Sequence, residues 1–98
     1  MARRGKVDII ADILKAAKGG SKRTRVVYET NLNFTIFQEY LDVLVERGLI
    51  ERFNGQVYTT DMGFEYIRIY DDLYELMDLN WSKRQSQSTI KIINTRTS

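Results

Sequence analysis

The 98-residue sequence contains no cysteine, no histidine and no proline. Without cysteine and histidine, disulfides, thiolate nucleophiles, histidine acid–base catalysis and the usual zinc sites are excluded. A run of about 18 apolar residues, which a membrane-spanning helix needs, is also missing. The N-terminus soon reaches Asp8 and Asp12 instead of an apolar leader. We therefore expect a cytoplasmic protein with no membrane partner, no metal and no cofactor.

The composition that remains is typical of a chain that folds. Hydrophobic residues make up 43% of the sequence and charged residues 29%, which sets it apart from disordered proteins. Its length is sufficient for one domain with a single modest core and an appendage.

The net charge is small but unevenly distributed. Fifteen Lys and Arg residues against thirteen Asp and Glu residues give +2. Residues 1–26 carry a net charge of +6, residues 27–50 carry −3, residues 61–81 carry −5, and the tail from residue 82 carries +4. A basic first quarter suits an anionic partner such as nucleic acid, whereas the alternative is that these charges only solvate helix faces.

Two helices are predicted in the first third of the chain. Apolar residues spaced three and four apart predict a helix over residues 6–18, which Gly19 and Gly20 end. Residues 21–23 can form a short extended stub. Thr24 is the expected N-cap of a short helix over residues 25–30, which would bury Val26 or Val27 together with Tyr28.

A third helix and a hairpin follow. The helix is predicted over residues 34–47, with Asn33 as its N-cap, Gly48 as its stop and an inner face of Phe37, Leu41, Leu44, Tyr40 and Val45. The β-favouring runs 49–53 and 56–59 are separated only by Asn54-Gly55. This pair is the strongest two-residue hairpin signal, because a type I′ turn needs two positive φ angles.

The last predicted helix is the longest, over residues 62–81, opened by Thr60 and Asp61. Residues 82–98 are polar and are expected to be mobile or to form one short strand. The element order is that of a winged helix-turn-helix. We therefore expect a mostly α fold with a small β-hairpin, in which residues 1–60 form the winged helix-turn-helix domain, 61–81 a dimerisation helix and 82–98 a tail.

Residues 31–67, NLNFTIFQEYLDVLVERGLIERFNGQVYTTDMGFEYI, resemble the segment from the recognition helix to the wing in archaeal and bacterial winged-helix regulators. The matching positions are Leu41, Leu44, Gly48, Leu49, Ile50, Tyr58, Asp61 and Gly63. Together with the first helix, the linker GGSKRTRVVYETNLNF and the last helix, they resemble the small 10a chromatin proteins of the Sulfolobales over residues 5–80. That resemblance implies a basic winged helix that dimerises through an antiparallel coiled coil of the last helix.

The sequence of the last helix by itself also predicts the contact residues, or seam, of such a dimer. Apolar and aromatic side chains recur there at spacings of three and four, which is typical of a coiled coil. The predicted dimerisation residues are Ile67, Tyr70, Leu73, Tyr74, Met77 and Trp81. The alternative is that this helix folds back over the first helix of its own chain.

Winged helices place the start of the third helix in the major groove of DNA and the wing against the backbone or minor groove. Asn33 and Gln38 carry amides that can read adenine, and Thr35 can meet a phosphate or a thymine methyl. The remaining predicted DNA contacts are Arg3, Arg4, Lys6, Lys22, Arg23, Arg25, Arg52 and Asn54. Glu39 and Asp42 on the same helix would repel phosphates, which favours binding with low sequence specificity.

The function expected is therefore that of a homodimeric protein that binds double-stranded DNA, of the archaeal nucleoid type. A transcription regulator that reads a palindromic site is one alternative, and a protein-interaction module that binds no DNA is another. An enzyme is not expected. The acidic residues 71, 72, 75 and 78 are better explained as the solvated outer face of a helix.

Overall fold

The computed structural model describes residues 4–77, which form four helices and one three-stranded antiparallel sheet. The predicted element order and the mostly α winged helix-turn-helix fold are confirmed. In chain order the elements are α1 (Lys6–Ala16), β1 (Ser21–Lys22), α2 (Arg23–Thr30), α3 (Phe34–Glu46), β2 (Ile50–Phe53), β3 (Gln56–Thr59) and α4 (Asp61–Leu76). The strand order is β1-β3-β2, so the hairpin that forms the wing gains a third strand from the linker after α1.

A single core lies between the helices and the inner face of the sheet. Its members are almost fully buried: Ile13, Leu14, Ala17, Val26, Phe37, Leu41, Leu44, Ile50, Val57 and Ile67. The predicted inner face of α3 is confirmed, because Phe37, Leu41 and Leu44 are buried and Tyr40 and Val45 pack against them.

Helix α1 ends two residues earlier than predicted, and the two glycines after it shape the connection to α2. Helix α1 ends at Ala16, and Gly19 and Gly20 both adopt positive φ angles. A Cβ on Gly20 would lie 2.5 Å from the ring of Tyr58, so only glycine allows this close approach. The next two residues pair with β3.

The predicted N-cap of α2 is wrong. The helix begins at Arg23, one residue before Thr24, and its N-cap Lys22 makes no capping bond with its side chain. The reason is the pairing of Lys22 with Gln56 of β3, which holds the backbone extended up to the first helical residue. Because that partner lies more than thirty residues away, local helix signals did not reveal it.

The cap of α3 and the turn of the wing form as predicted. Asn33 Oδ1 accepts a hydrogen bond from the Ile36 N–H at 2.8 Å. In the hairpin, Asn54 and Gly55 have φ angles of 54° and 75°, as a type I′ turn requires.

Helix α4 starts inside the domain. Thr60 caps it by accepting a hydrogen bond from the Gly63 N–H at 3.1 Å. A Cβ on Gly63 would lie 2.5 Å from the carbonyl oxygen of Leu49, so α4 packs closely on the chain that enters the sheet.

Among the described residues, no helix has the length and apolar character to cross a membrane. The predictions for residues 78–98 lie outside the described residues.

Candidate nucleic-acid interface

The outer surface of α3 carries the polar side chains that the sequence predicted. Thr35, Glu39 and Asp42 are exposed and Gln38 is half-buried. Asn33 is also exposed, but its amide oxygen is occupied by the cap of α3. The cap uses one of the two acceptor positions of the Asn33 oxygen and fixes the direction of its amide.

A continuous polar chain links α2, α3 and the wing. Arg23 Nη1 donates to Gln38 Oε1 at 3.1 Å, and Gln38 Nε2 donates to Asp42 Oδ1 at 3.0 Å. Arg52 Nη2 donates to the same Asp42 oxygen at 3.3 Å. We call these four side chains the Arg23–Arg52 chain. It places one arginine at each end of the polar surface that Gln38 and Asp42 form on α3.

The Arg23–Arg52 chain changes the chemistry of the α3 surface. The negative charge of Asp42 is offset by the guanidinium of Arg52, so it repels phosphate less than an isolated carboxylate would. Gln38 already uses its oxygen and its nitrogen within the protein. These bonds use one acceptor position of the oxygen and one N–H of the nitrogen, and they fix the orientation in which the amide could meet a base.

An open groove of about 360 Å³ lies between the start of α2 and the wing. It is lined by Arg23, Arg52, Phe53, Asn54, Gly55, Gln56 and Val57. Within the described part of the chain, the lining thus includes two guanidinium groups and no carboxylate, an arrangement that attracts anions. Arg23 also lies over the ring of Phe34, 5.9 Å from its centroid, which helps to position the guanidinium.

A second open groove, of about 410 Å³, lies on the other side of β1. It is lined by Gly20, Ser21, Lys22, Thr24, Arg25, Tyr28 and Gln56. The expectation that Tyr28 is buried is wrong, since the side chain is 85% exposed and Val26 alone fills the core position. Arg25 forms an ion pair with Glu29 at 2.8 Å, so part of its charge is offset.

The predicted basic N-terminal arm does not form at the residues the structure describes. Arg4 Nη1 donates to Asp12 at 2.8 Å and to the carbonyl of Thr30 at 2.9 Å. Arg4 therefore ties the start of the chain to α1 and to the end of α2. Lys6 is the first residue of α1. Arg3 lies outside the described residues.

A family model described as winged helix-turn-helix matches residues 3–79 of the chain. The chain belongs to the winged helix-turn-helix family. Among its relatives, an uncharacterised protein of Methanocaldococcus jannaschii is 32% identical over 82 residues, which cover 83% of this chain and 81% of the relative. A second uncharacterised protein of that organism is 29% identical over 76 residues, which cover 76% of this chain and 36% of the relative.

The winged-helix fold is also found in a similar solved structure. Sso10a-2, a DNA-binding protein from Sulfolobus solfataricus, superposes with a TM-score of 0.69 at 26% sequence identity. The match covers 85% of this chain and 92% of that chain. The resemblance of this winged-helix protein to the small archaeal 10a proteins is therefore confirmed.

The residues predicted for a dimer seam divide into two groups in the winged-helix structure. Ile67 lies in the core of its own chain and is only 6% exposed. Tyr70 contacts α1, where its hydroxyl donates to Asp8 Oδ1 at 2.6 Å. Both residues therefore have contacts within their own chain, and their part in a dimer seam stays a prediction. Leu73, Tyr74 and Met77 are exposed, and Trp81 lies outside the described residues.

Titratable groups mark the contact between α1 and α4. The hydrogen bond from Tyr70, together with one from the Gly5 N–H, lowers the pKa of Asp8 below its ordinary value. Burial and the same bond to Asp8 raise the pKa of Tyr70. Lys15 reinforces the contact, because its Nζ lies 3.0 Å from Asp71 and 5.4 Å from the centroid of the Tyr70 ring.

Proposed function

We propose that this winged-helix protein binds double-stranded DNA as a homodimer, mainly through phosphate contacts and with low sequence specificity, as a nucleoid protein does. The observation that carries the proposal is the Arg23–Arg52 chain. It places arginines at both ends of the outer surface of α3 and engages the polar groups between them.

The positive charge that lines the two grooves supports phosphate contacts. The two grooves beside β1 are lined by Lys22, Arg23, Arg25 and Arg52, and no carboxylate contributes to either lining. In the winged-helix mode of binding, the start of α2 and the wing flank the major groove that α3 enters. Contacts from these positions hold the protein on the backbone without reading sequence.

The occupied amides support low specificity. The oxygen of Asn33 caps α3, and both amide atoms of Gln38 are bonded within the protein. Among the predicted base-reading residues, Asn33 and Thr35 are exposed and Gln38 is half-buried. Few side chains are thus available for base edges, and two of the three are partly engaged within the protein, which favours contacts to the DNA backbone.

Similarity supports the choice of partner. Sso10a-2 is named as a DNA-binding protein, and its fold matches nearly the whole of this one. Together with the family membership, this favours DNA over an acidic protein as the anion that meets the basic grooves.

The homodimer is proposed from the apolar surface of α4. Ile69, Leu73, Tyr74, Leu76 and Met77 are between 40% and 80% exposed. They lie on the C-terminal part of α4, beyond Ile67, which is the last α4 residue in the core. Apolar surface of this extent in one helix is typical of a protein interface. A second copy of α4, packed antiparallel, would cover it and give the dimer two DNA-binding domains.

A catalytic role is not proposed. Two of the acidic residues of α4 that could suggest one lie in exposed ion pairs, Asp71 with Lys15 and Asp72 with Arg68. These pairs are explained by helix stabilisation and by the contact with α1.

The test is fluorescence anisotropy with a mixed-sequence duplex at several salt concentrations. We expect the affinity to fall steeply with salt, with a log–log slope of roughly −0.9 per phosphate contact. Lys22→Ala and Arg23→Ala should each reduce the magnitude of the slope by about 0.9, and Arg52→Ala should reduce it less, because Arg52 is already paired with Asp42. Lys18→Ala, an exposed lysine that lines neither groove, is the matched control. A flat salt dependence would contradict the phosphate model.

Footprinting separates the nucleoid role from that of a regulator. Uniform protection along a long duplex supports the nucleoid protein. One protected palindrome, with half-sites about 34 Å apart, would indicate a transcription regulator instead.

A further inference from the structure

Phe53 lies at the tip of the wing with most of its side chain in water. It is 65% exposed and comes directly before the Asn54-Gly55 turn. The wing contributes Ile50 and Val57 to the core, and each is 1% exposed. Phe53 is thus an apolar side chain that the packing of its own domain does not use.

The backbone at Phe53 is well defined by its surroundings. The turn beyond it has only two residues, both with positive φ angles. Strand β2 is paired along its length with β3, which is in turn paired with β1. The ion pair from Arg52 to Asp42 fixes the neighbouring residue to α3. Because this hairpin is short and its strands are paired, its aromatic ring can enter a binding partner without the entropy cost of ordering a loop.

The charges around Phe53 indicate what it meets. The groove beside it is lined by Arg23 and Arg52, and among residues 4–77 no acidic residue contributes to that lining. An apolar ring beside two guanidinium groups fits a ligand that has phosphates on its edges and an apolar interior. Duplex DNA has this construction, since its base pairs are stacked between two phosphate backbones.

We propose that Phe53 enters the minor groove and wedges between two base pairs, so that the bound duplex is bent. This inference rests on the DNA binding proposed above. The minor groove is about 6 Å wide, which suits a two-residue turn that leads with one ring. Apolar wedges of this kind kink DNA by roughly 20–90°. Because pyrimidine–purine steps unstack most readily, the wedge selects flexible steps without hydrogen bonds to bases.

The experiment measures bending and affinity on one molecule. A duplex of about 30 bp with a central TA step carries a donor dye at one end and an acceptor dye at the other. Wild-type protein should raise the energy transfer between the dyes. Phe53→Ala should leave the transfer at the value of free DNA while its affinity falls by no more than about tenfold. Phe53→Leu, which retains an apolar wedge, should restore the bend.

Phe64→Ala is the matched control, because it removes another exposed phenylalanine, which lies on α4 and lines neither groove. This variant should bend DNA as the wild type does. A 2-aminopurine base at the central step should brighten with wild-type protein and stay quenched with Phe53→Ala, since only a wedge unstacks that base.

The outcomes separate this inference from the proposed function. Binding without bending, or equal bending by wild type and Phe53→Ala, overturns the wedge and leaves DNA binding intact. Absence of duplex binding by the wild type would overturn the proposed function and the wedge together.

Discussion

The guanidinium of Arg52 on the wing lies 3.3 Å from the carboxylate of Asp42 on α3. Both side chains are more than half exposed, so the pair contributes at most about 1 kcal/mol to stability. Its main consequence is electrostatic. The pair holds the Arg52 guanidinium of the wing against α3, the helix that would enter the major groove. It also offsets the charge of Asp42, one of the two carboxylates on α3 that would repel DNA.

Asp42→Asn should therefore strengthen duplex binding. The substitution removes a negative charge from the α3 surface and frees Arg52 to reach a phosphate. We expect about 3- to 10-fold tighter binding at low salt and a log–log slope steeper by about 0.9. Fluorescence anisotropy over a salt series measures both quantities.

Glu39→Gln is the control for that experiment. It removes an equal charge from the same helix but releases no arginine, so the affinity should rise while the slope stays unchanged. An unchanged affinity for Asp42→Asn would mean that this face of α3 does not approach DNA.

Arg4→Ala should lower stability without lowering DNA affinity. Its guanidinium bonds Asp12 and the carbonyl of Thr30, so its loss separates the start of α1 from the end of α2. We expect a loss of about 1 kcal/mol in the free energy of unfolding, measured by urea denaturation. Arg23→Ala should give the opposite pattern, with weaker binding and nearly unchanged stability. If the Arg4→Ala variant folds normally but binds DNA poorly, this prediction is contradicted and Arg4 contributes to the DNA interface.

Leu73→Asp should dissociate the proposed homodimer. Leu73 is 49% exposed on the apolar surface of α4, and a carboxylate there would be buried without a partner in the dimer. Multi-angle light scattering should give a monomer mass at concentrations where the wild type is a dimer. Val43→Asp on α3 changes an apolar side chain of similar exposure and should leave the mass unchanged. A wild-type monomer at tens of micromolar would refute the dimer.

Asp8→Asn should reduce stability at neutral pH but not in acid. Because the hydrogen bond from Tyr70 lowers the pKa of Asp8 in the folded state, the folded protein favours the carboxylate. This contribution is present above the unfolded pKa near 3.8 and is lost as the pH falls through the lower folded pKa. Urea denaturation at neutral pH and across the acid range should show the difference between variant and wild type shrinking in acid.

Tyr70→Phe tests the cause of that pH dependence. It keeps the Asp8 charge but removes the donor, so the pKa of Asp8 should move back toward its ordinary value. The stability of this variant should then depend less on pH in the acid range than that of the wild type. An equal pH dependence would assign the effect to another carboxylate.

Local signals in the sequence predicted much of the fold. Asn33 as a cap and Asn54-Gly55 as a turn were both predicted, because each acts through hydrogen bonds or φ angles within a few residues. The inner face of α3 followed from its periodicity. The start of α2 did not, because it depends on the pairing of Lys22 with a strand from the other end of the domain.

The candidate site was predicted in part. The positions of Gln38, Arg23 and Arg52 near α3 agreed with expectation, but their bonds to one another joined three separate elements and could not be derived from spacing. Nor could the exposure of Phe53, since a strand pattern does not reveal how far a hairpin tip extends beyond the core. The periodicity of α4 identified its apolar residues, but it did not show which of them pack within their own chain and which stay exposed for a second copy of the chain.

The sequence by itself determined which chemistries are excluded, the order of the elements and the concentration of positive charge in the first quarter of the chain. These properties depend on composition and on neighbours along the chain. The tertiary structure alone decided which partners the charged groups take. Arg4 bonds Asp12 and the carbonyl of Thr30, whereas Arg23 and Arg52 bond Gln38 and Asp42 and also line an open groove, because such contacts form between residues that only folding brings together.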